Sequence, residues 1–165
     1  MLPAQGKLII ISTPIGNLDD ISIRAINSLK SSDLIACENT KHSSILLNKY
    51  GIKTKKISLH KFNEKSRIEG IIKAIDDGKT VAYISDAGTP LISDPGARLV
   101  NKIANANHDI QVIPGASAVT CAIAGSGLPA NKFYFGGFLC ECLRCMGGPW
   151  GICFICDSWV TLGRF

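Results

Sequence analysis

Long apolar runs are missing from this sequence. No stretch reaches the roughly 20 consecutive apolar residues that a membrane helix needs. The run that opens the chain, Lys7-Leu8-Ile9-Ile10-Ile11-Ser12, is cut off by Pro14 and does not have the form of a signal peptide. The expectation is therefore a soluble, cytoplasmic protein with no membrane partner. Cysteine is nearly absent from the first 139 residues, where only Cys37 and Cys121 occur, both in apolar surroundings. That excludes a disulfide framework and suits reduced, buried thiols. Blocks of like charge are missing too: the basic residues are scattered, with only Lys53, Lys55 and Lys56 bunched. The net charge of +5 is thus a mild pointer to a polyanion such as RNA and fits a solvated lysine-rich surface as well.

Lysine itself is absent after Lys132. Residues 140–165 hold five of the seven cysteines and both tryptophans, and their two basic and two acidic side chains balance. The whole excess of positive charge therefore lies in residues 1–139, and the chain has two compositions.

The first of these reads as alternating strands and helices. Continuous apolar runs bounded by turn residues predict buried strands at residues 7–12, 33–37, 56–59, 80–84 and 109–113. Between them, apolar residues at helical spacing predict helices. Ile21, Ala25, Ile26 and Leu29 share one face, as do Ile68, Ile71, Ile72 and Ile75 in a helix over 63–77; Leu99, Val100 and Ile103 mark a third. Asn39 suits the cap of a helix that stops at Gly51, and Asp94-Pro95 suits a helix start. A further helix is expected over 116–124. The fold class is α/β, a mostly parallel sheet flanked by helices. Ligands of such sheets gather at the carboxyl ends of strands, which singles out the loops at residues 13–20, 38–41, 85–93 and 114–117.

Two nucleotide motifs fail on inspection. Gly78-Lys79-Thr80 mimics the end of a P-loop, but Lys73 stands where its first glycine belongs, and the strand–helix order is inverted. Gly125-Ser126-Gly127-Leu128-Pro129-Ala130 matches a loose dinucleotide fingerprint but follows a helix and contains a proline. The segment Ser85-Asp86-Ala87-Gly88-Thr89-Pro90-Leu91-Ile92-Ser93-Asp94-Pro95-Gly96 is more informative. Asp94, Pro95 and Gly96 are explained by a turn that caps the next helix; Asp86, Gly88 and Thr89 are not needed for one. An acid just past a strand end can accept hydrogen bonds from a ligand's hydroxyls or amine.

That segment, with Thr13-Pro14-Ile15-Gly16-Asn17-Leu18-Asp19-Asp20 before it and Pro114-Gly115-Ala116-Ser117-Ala118 after it, closely resembles the tetrapyrrole methylase superfamily, and within it the ribosomal RNA small subunit methyltransferase I family. The resemblance runs in order from about Lys7 to Leu139 and includes Ser126-Gly127-Leu128-Pro129 and Phe135-Gly136-Gly137-Phe138. It implies two α/β domains of comparable size with S-adenosylmethionine in the cleft between them. The implied reaction is methyl transfer to the ribose 2′-oxygen of a cytidine in small-subunit ribosomal RNA, with no metal. Pro14, Asp86, Gly88, Thr89, Ser117 and Ala118 would line the cofactor site. The implied partner is ribosomal RNA or the ribosomal subunit; a homodimer is left open.

A base near the acceptor hydroxyl would assist the transfer. Glu38 and His60, at the ends of the second and third strands, are the candidates for that role or for ribose contacts; a capping or surface role is the plainer reading of His60. The sequence departs from the family here. Asn39 stands where aspartate is usual, and Lys61-Phe62 replace an acid and a histidine. The domain expectation is a cofactor-binding unit over 1–115, the start of a second domain over 116–139 with the remainder largely missing, and a divergent tail over 140–165. Cys142-x-x-Cys145 and Cys153-x-x-Cys156 could pair around zinc, but seven residues between the pairs are fewer than the roughly 15–20 of zinc ribbons. A frameshift explains the tail more simply. The alternative to a methyltransferase is a non-catalytic remnant or a module that binds RNA or zinc.

Overall fold

In the computed structural model, residues 6–92, 94–129 and 131–136 are described. The tail cysteines and the Gly137-Phe138-Leu139 end of the family pattern lie outside them. The chain divides into two units, Met1–Ala118 and Val119–Phe165.

The first unit is built on five parallel strands, β1 (Lys7–Ile11), β2 (Leu34–Cys37), β3 (Lys56–Ser58), β4 (Thr80–Ile84) and β5 (Asp109–Ile113), in the order β3-β2-β4-β1-β5. The helices are α1 (Ile23–Ser31), α2 (Thr40–Lys49), α3 (Glu64–Asp76) and α4 (Ala97–Asn105). A continuous apolar strand can be buried on both faces, because successive side chains point to opposite sides. The strands follow this rule. Ile9, Ile11, Ile35, Cys37, Ala82 and Ile84 pack with α1 and α2. Leu8, Ile10, Ala36, Val81 and Tyr83 pack with α3 and α4. The helices contribute the residues their spacing predicts: Ala25 and Leu29, then Ile68, Ile71 and Ile75, then Leu99 and Ile103 are all buried.

Two helix starts differ from the sequence expectation. The helical face that the sequence opens at Ile21 does not begin α1 there. Asn17 caps a single 3₁₀ turn, Leu18–Asp20, and Ser22 then caps α1 by accepting the Ala25 N–H at 3.1 Å. Nor does α4 begin at Pro95. Its cap is Gly96, in the left-handed region with φ 112°, because the Pro95 carbonyl accepts a 2.6 Å hydrogen bond from the buried Tyr83 hydroxyl. Asn39 caps α2 as expected, accepting from the Lys41 and His42 amides.

This topology places the ligand crevice. β1 and β4 are neighbours, yet the chain leaves β1 toward the α1/α2 face and leaves β4 toward the α3/α4 face. Adjacent strands whose connections diverge leave an opening at their carboxyl ends.

In the second unit, α5 (Ala118–Ser126) is followed by Leu128, Phe133, Tyr134 and Phe135, all well exposed. Among the described residues no helix is long and apolar enough to cross a membrane.

Candidate functional site

The loops after β1, β4 and β5 lock together over the crevice. Thr13 and Gly88 exchange backbone hydrogen bonds, 2.9 Å from the Thr13 N–H and 3.0 Å from the Gly88 N–H, which joins the first motif to the second. The third motif is tied in by a short chain of hydroxyls. Thr89 donates to the Ala116 carbonyl at 3.3 Å, and Ser12 Oγ lies 3.0 Å from Thr89 Oγ1. Gly115 passes so close to β1 that a Cβ there would meet Ser12 Cβ at 2.9 Å. Three motifs far apart in sequence are therefore one crown of loops.

On its other flank the crown borders a recess of roughly 230 Å³. Its walls come from the segment after β1 (residues 13–18), from α2 (residues 42–46) and from the end of β4 (residues 84–87). Tyr50 braces the wall by donating to the Leu18 carbonyl at 2.8 Å, and Lys49 pairs with Asp19. That hydrogen-bonded ion pair holds the Asp19 carboxyl below its ordinary range, with Tyr50 adding to the effect.

The six residues assigned to the cofactor by resemblance fall into two groups. Pro14 and Asp86 line the recess. Gly88, Thr89, Ser117 and Ala118 are outside that lining: Gly88 lies between Ile15 of the wall and the Ala116 carbonyl, and Thr89 meets the 114–117 loop after β5. Ser117 is half-buried and Ala118, at the start of α5, is exposed.

Carboxylates crowd the crown. The Asp86 carboxylate accepts the Asn39 N–H at 3.2 Å. Glu38, the residue after β2, is pushed above its ordinary range first by burial and then by the negative charges of Asp86 and Asp94; His60 and a hydrogen bond from the Asp86 backbone work against the rise. Asp94 is raised for the same first reason, burial, offset by a hydrogen bond from Ser85. Burial likewise drives the Tyr83 phenol well up, with Glu38 and Asp94 adding to it. Among the described residues, none of Glu38, Asp86 and Asp94 is in an ion pair. Three carboxyl groups that repel one another favour a cationic ligand beside them.

His60 sits in a local turn. Its Nδ1 accepts the Phe62 N–H at 3.2 Å and its own N–H donates to Asn63 Oδ1 at 2.8 Å, so Nε2 is the ring atom free of that turn. The structure also brings forward residues that the sequence did not single out: Ser12, Ser43, Tyr50 and Tyr83. Their hydroxyls join segments between 12 and 77 residues apart or, in Ser43, stand in the recess wall. Among the described residues no group of three or more His, Cys, Asp and Glu is arranged to hold a metal.

The model for tetrapyrrole (corrin/porphyrin) methylases matches residues 7–144. Among curated proteins, ribosomal RNA small subunit methyltransferase I of Thermotoga maritima is 50% identical over 135 residues, 82% of this chain and 61% of that protein. The protein of the same name from Escherichia coli O157:H7 is 43% identical over 136 residues, 82% of this chain and 48% of the relative. The chain thus spans about half to three-fifths of the length of these two relatives. Among solved structures, uroporphyrin-III-C-methyltransferase from Thermus thermophilus matches with a TM-score of 0.59 at 18% identity, over 77% of this chain and 54% of that one. The cobalt precorrin-4 methyltransferase CbiF matches with a TM-score of 0.59 at 18% identity, over 74% and 51%. At such identities the likeness is one of fold.

Proposed function

The chain belongs to the tetrapyrrole (corrin/porphyrin) methylase family, and on that premise we propose that it binds S-adenosylmethionine at the loop crown and serves 2′-O-methylation of a cytidine in small-subunit ribosomal RNA. One observation carries the reading: the three motif loops converge through the Thr13–Gly88 bridge and the Ser12–Thr89–Ala116 hydroxyl chain. The names of the relatives support the ribosomal substrate, and a cytoplasmic location follows from that substrate.

The residues fit the cofactor's charge. Sulfonium and ammonium groups are cationic, and Glu38, Asp86 and Asp94 present mutually repelling carboxylates without an ion-pair partner. When bound, S-adenosylmethionine supplies an electrophilic methyl on sulfur. The chain's part is positional: Gly88 and Thr89 fix the crown, Asp86 orients the cation, and Ser117 and Ala118 close the β5 side. Much of the rate would come from holding the ribose oxygen in line with the methyl. Glu38, or His60 through Nε2, takes the proton that the hydroxyl loses as the carbon–oxygen bond forms and the carbon–sulfur bond breaks. Burial raises the Glu38 carboxyl, which makes it a stronger proton acceptor than an ordinary carboxylate.

Calorimetric titration of the purified chain with S-adenosylmethionine, alongside Asp86→Ala, tests the reading. Binding in the micromolar range, lost in the variant, is the expected result. A folded sample that takes up no cofactor overturns it.

A further inference from the structure

We infer that the recess on the α2 side of the crown receives the acceptor's own nucleobase, turned out of its strand, while the cofactor lies toward β5. The inference rests on the methyl-transfer reading above and names the part of the site that takes the substrate.

Size is the first argument. At roughly 230 Å³ the recess falls below the ~300 Å³ at which sites for drug-sized ligands begin. It suits one flat ring rather than a nucleoside joined to an amino acid. The character of its walls is the second. Ile15 and Ile45 stand at the mouth, 37% and 59% exposed, although the helical pattern of α2 has Leu46 and Leu47 to fill the core. Enzymes that act on an extruded nucleotide hold its base between apolar or aromatic side chains and read its edge by hydrogen bonds.

Third, one hydroxyl of the wall is only weakly partnered. Ser43 is 4% exposed, and the one group its buried Oγ meets is the Cys37 thiol, a weak hydrogen-bond partner. The other two hydroxyls of the wall are occupied: Thr13 donates to the Ser85 carbonyl, and the Ser85 hydroxyl is shared between the Ala87 carbonyl and the Asp94 carboxyl. A hydroxyl held only by a thiol is improved by a stronger partner, such as a ligand nitrogen or oxygen. A hydroxyl both donates and accepts, as the edge of a base requires. Location is the fourth argument. Pro14 and Asp86 belong both to the recess and to the motifs assigned to the cofactor, so the two compartments share a border. Methyl and acceptor oxygen must come within roughly 3–3.5 Å, so adjoining compartments are what the transfer demands.

A base could also come from the cofactor's adenine, and the test separates the two sources. Cytidine 5′-monophosphate and S-adenosylhomocysteine are added, singly and together, to the isotope-labelled chain while amide signals are followed by NMR. The cytidine nucleotide is expected to move Ile15, His42, Ser43 and Ile45; the cofactor product, Gly88, Thr89 and Ser117; and both should bind at once. Ser43→Ala should weaken the nucleotide about fivefold, the worth of one hydrogen bond, and leave the cofactor product unaffected. Ile45→Glu, at an exposed position that leaves the core intact, should abolish nucleotide binding. Displacement of the nucleotide from the α2 signals by S-adenosylhomocysteine would overturn the inference, as would unchanged nucleotide affinity in both variants. A lost nucleotide response with the cofactor product still bound overturns this inference alone. A lost response at Gly88, Thr89 and Ser117 overturns the methyl-transfer reading instead.

Discussion

Gly96→Ala is the substitution that most directly probes how the loop after β4 is held. Tyr83 is fully buried, and its ring lies against Gly96. A Cβ at position 96 would come within 2.6 Å of Cε1, 2.8 Å of the hydroxyl oxygen and 2.9 Å of Cζ. Carbon atoms pack best at roughly 3.5–4.0 Å, so the overlap is close to an ångström, against a ring with no free space behind it. The left-handed conformation, φ 112°, adds a second cost. Overpacking a core costs about 1–3 kcal/mol and a left-handed non-glycine residue about 1–2 kcal/mol, giving about 2–5 kcal/mol together. At roughly 4 °C per kcal/mol for a domain of this size, Tm should fall by about 8–20 °C. Urea unfolding followed by circular dichroism measures the free energy. Tyr83→Phe removes only the hydroxyl contact and leaves Cε1 and Cζ in place, so it should not rescue Gly96→Ala. Alone it should cost about 1 kcal/mol for the lost bond to the Pro95 carbonyl. Tyr83→Leu should rescue in part, reducing the added cost of Gly96→Ala to the backbone share of about 1–2 kcal/mol. A Gly96→Ala chain within about 0.5 kcal/mol of the parent, the usual range for an unremarkable surface change, or full rescue by Tyr83→Phe, would refute the reasoning.

Two further outcomes follow from the crown. Asn39→Ala should lower stability by about 1 kcal/mol through loss of the α2 cap, whereas Asn39→Asp keeps the cap and should cost less in the same thermal melt, a few tenths of a kcal/mol for the charge added beside Glu38 and Asp86. Glu38→Gln should stabilise the ligand-free chain at neutral pH. With the carboxyl of Glu38 raised in the folded chain, its contribution is fullest below the ordinary carboxylate range and is lost as pH rises through the folded value. Solvent screening holds the gain to a few tenths of a kcal/mol. Melts of the two chains should converge near pH 4, and a parent more stable than the variant at pH 7 would contradict the assignment.

Much of the fold could be read from the sequence because its signals are local and periodic. The strand runs and the faces of α1, α3 and α4 appear where the spacing puts them, and Gly51 and Gly78 follow α2 and α3 as stops. Strand order could not be read this way, since β4 enters between β1 and β2 through pairings made across the sheet. The misplaced start of α4 shows why local rules fail. Asp94-Pro95 is a sound helix signal, but Tyr83, twelve residues before Pro95, takes the Pro95 carbonyl for its own hydroxyl and delays the helix to Ala97.

The site was legible to the same extent, in its loops more than in its side chains. Glycine, proline and small polar residues clustered just after a predicted strand mark a loop placed to meet a ligand, which is why all three motifs could be found. What they do to one another depends on contacts that no spacing rule encodes. Ser12 and Ser43 look like fillers within a strand end and a helix, yet one links two motifs and the other brings a hydroxyl held only by a thiol to the recess wall. The departure at Asn39 illustrates the converse. Its side chain caps α2 and its backbone N–H, which any residue but proline would supply, donates to Asp86. Aspartate at that position could make the same two contacts, so the substitution changes the charge beside Glu38 and Asp86 while keeping the geometry. Near three carboxylates that already repel one another, the neutral residue lessens the repulsion that a bound cation would otherwise relieve.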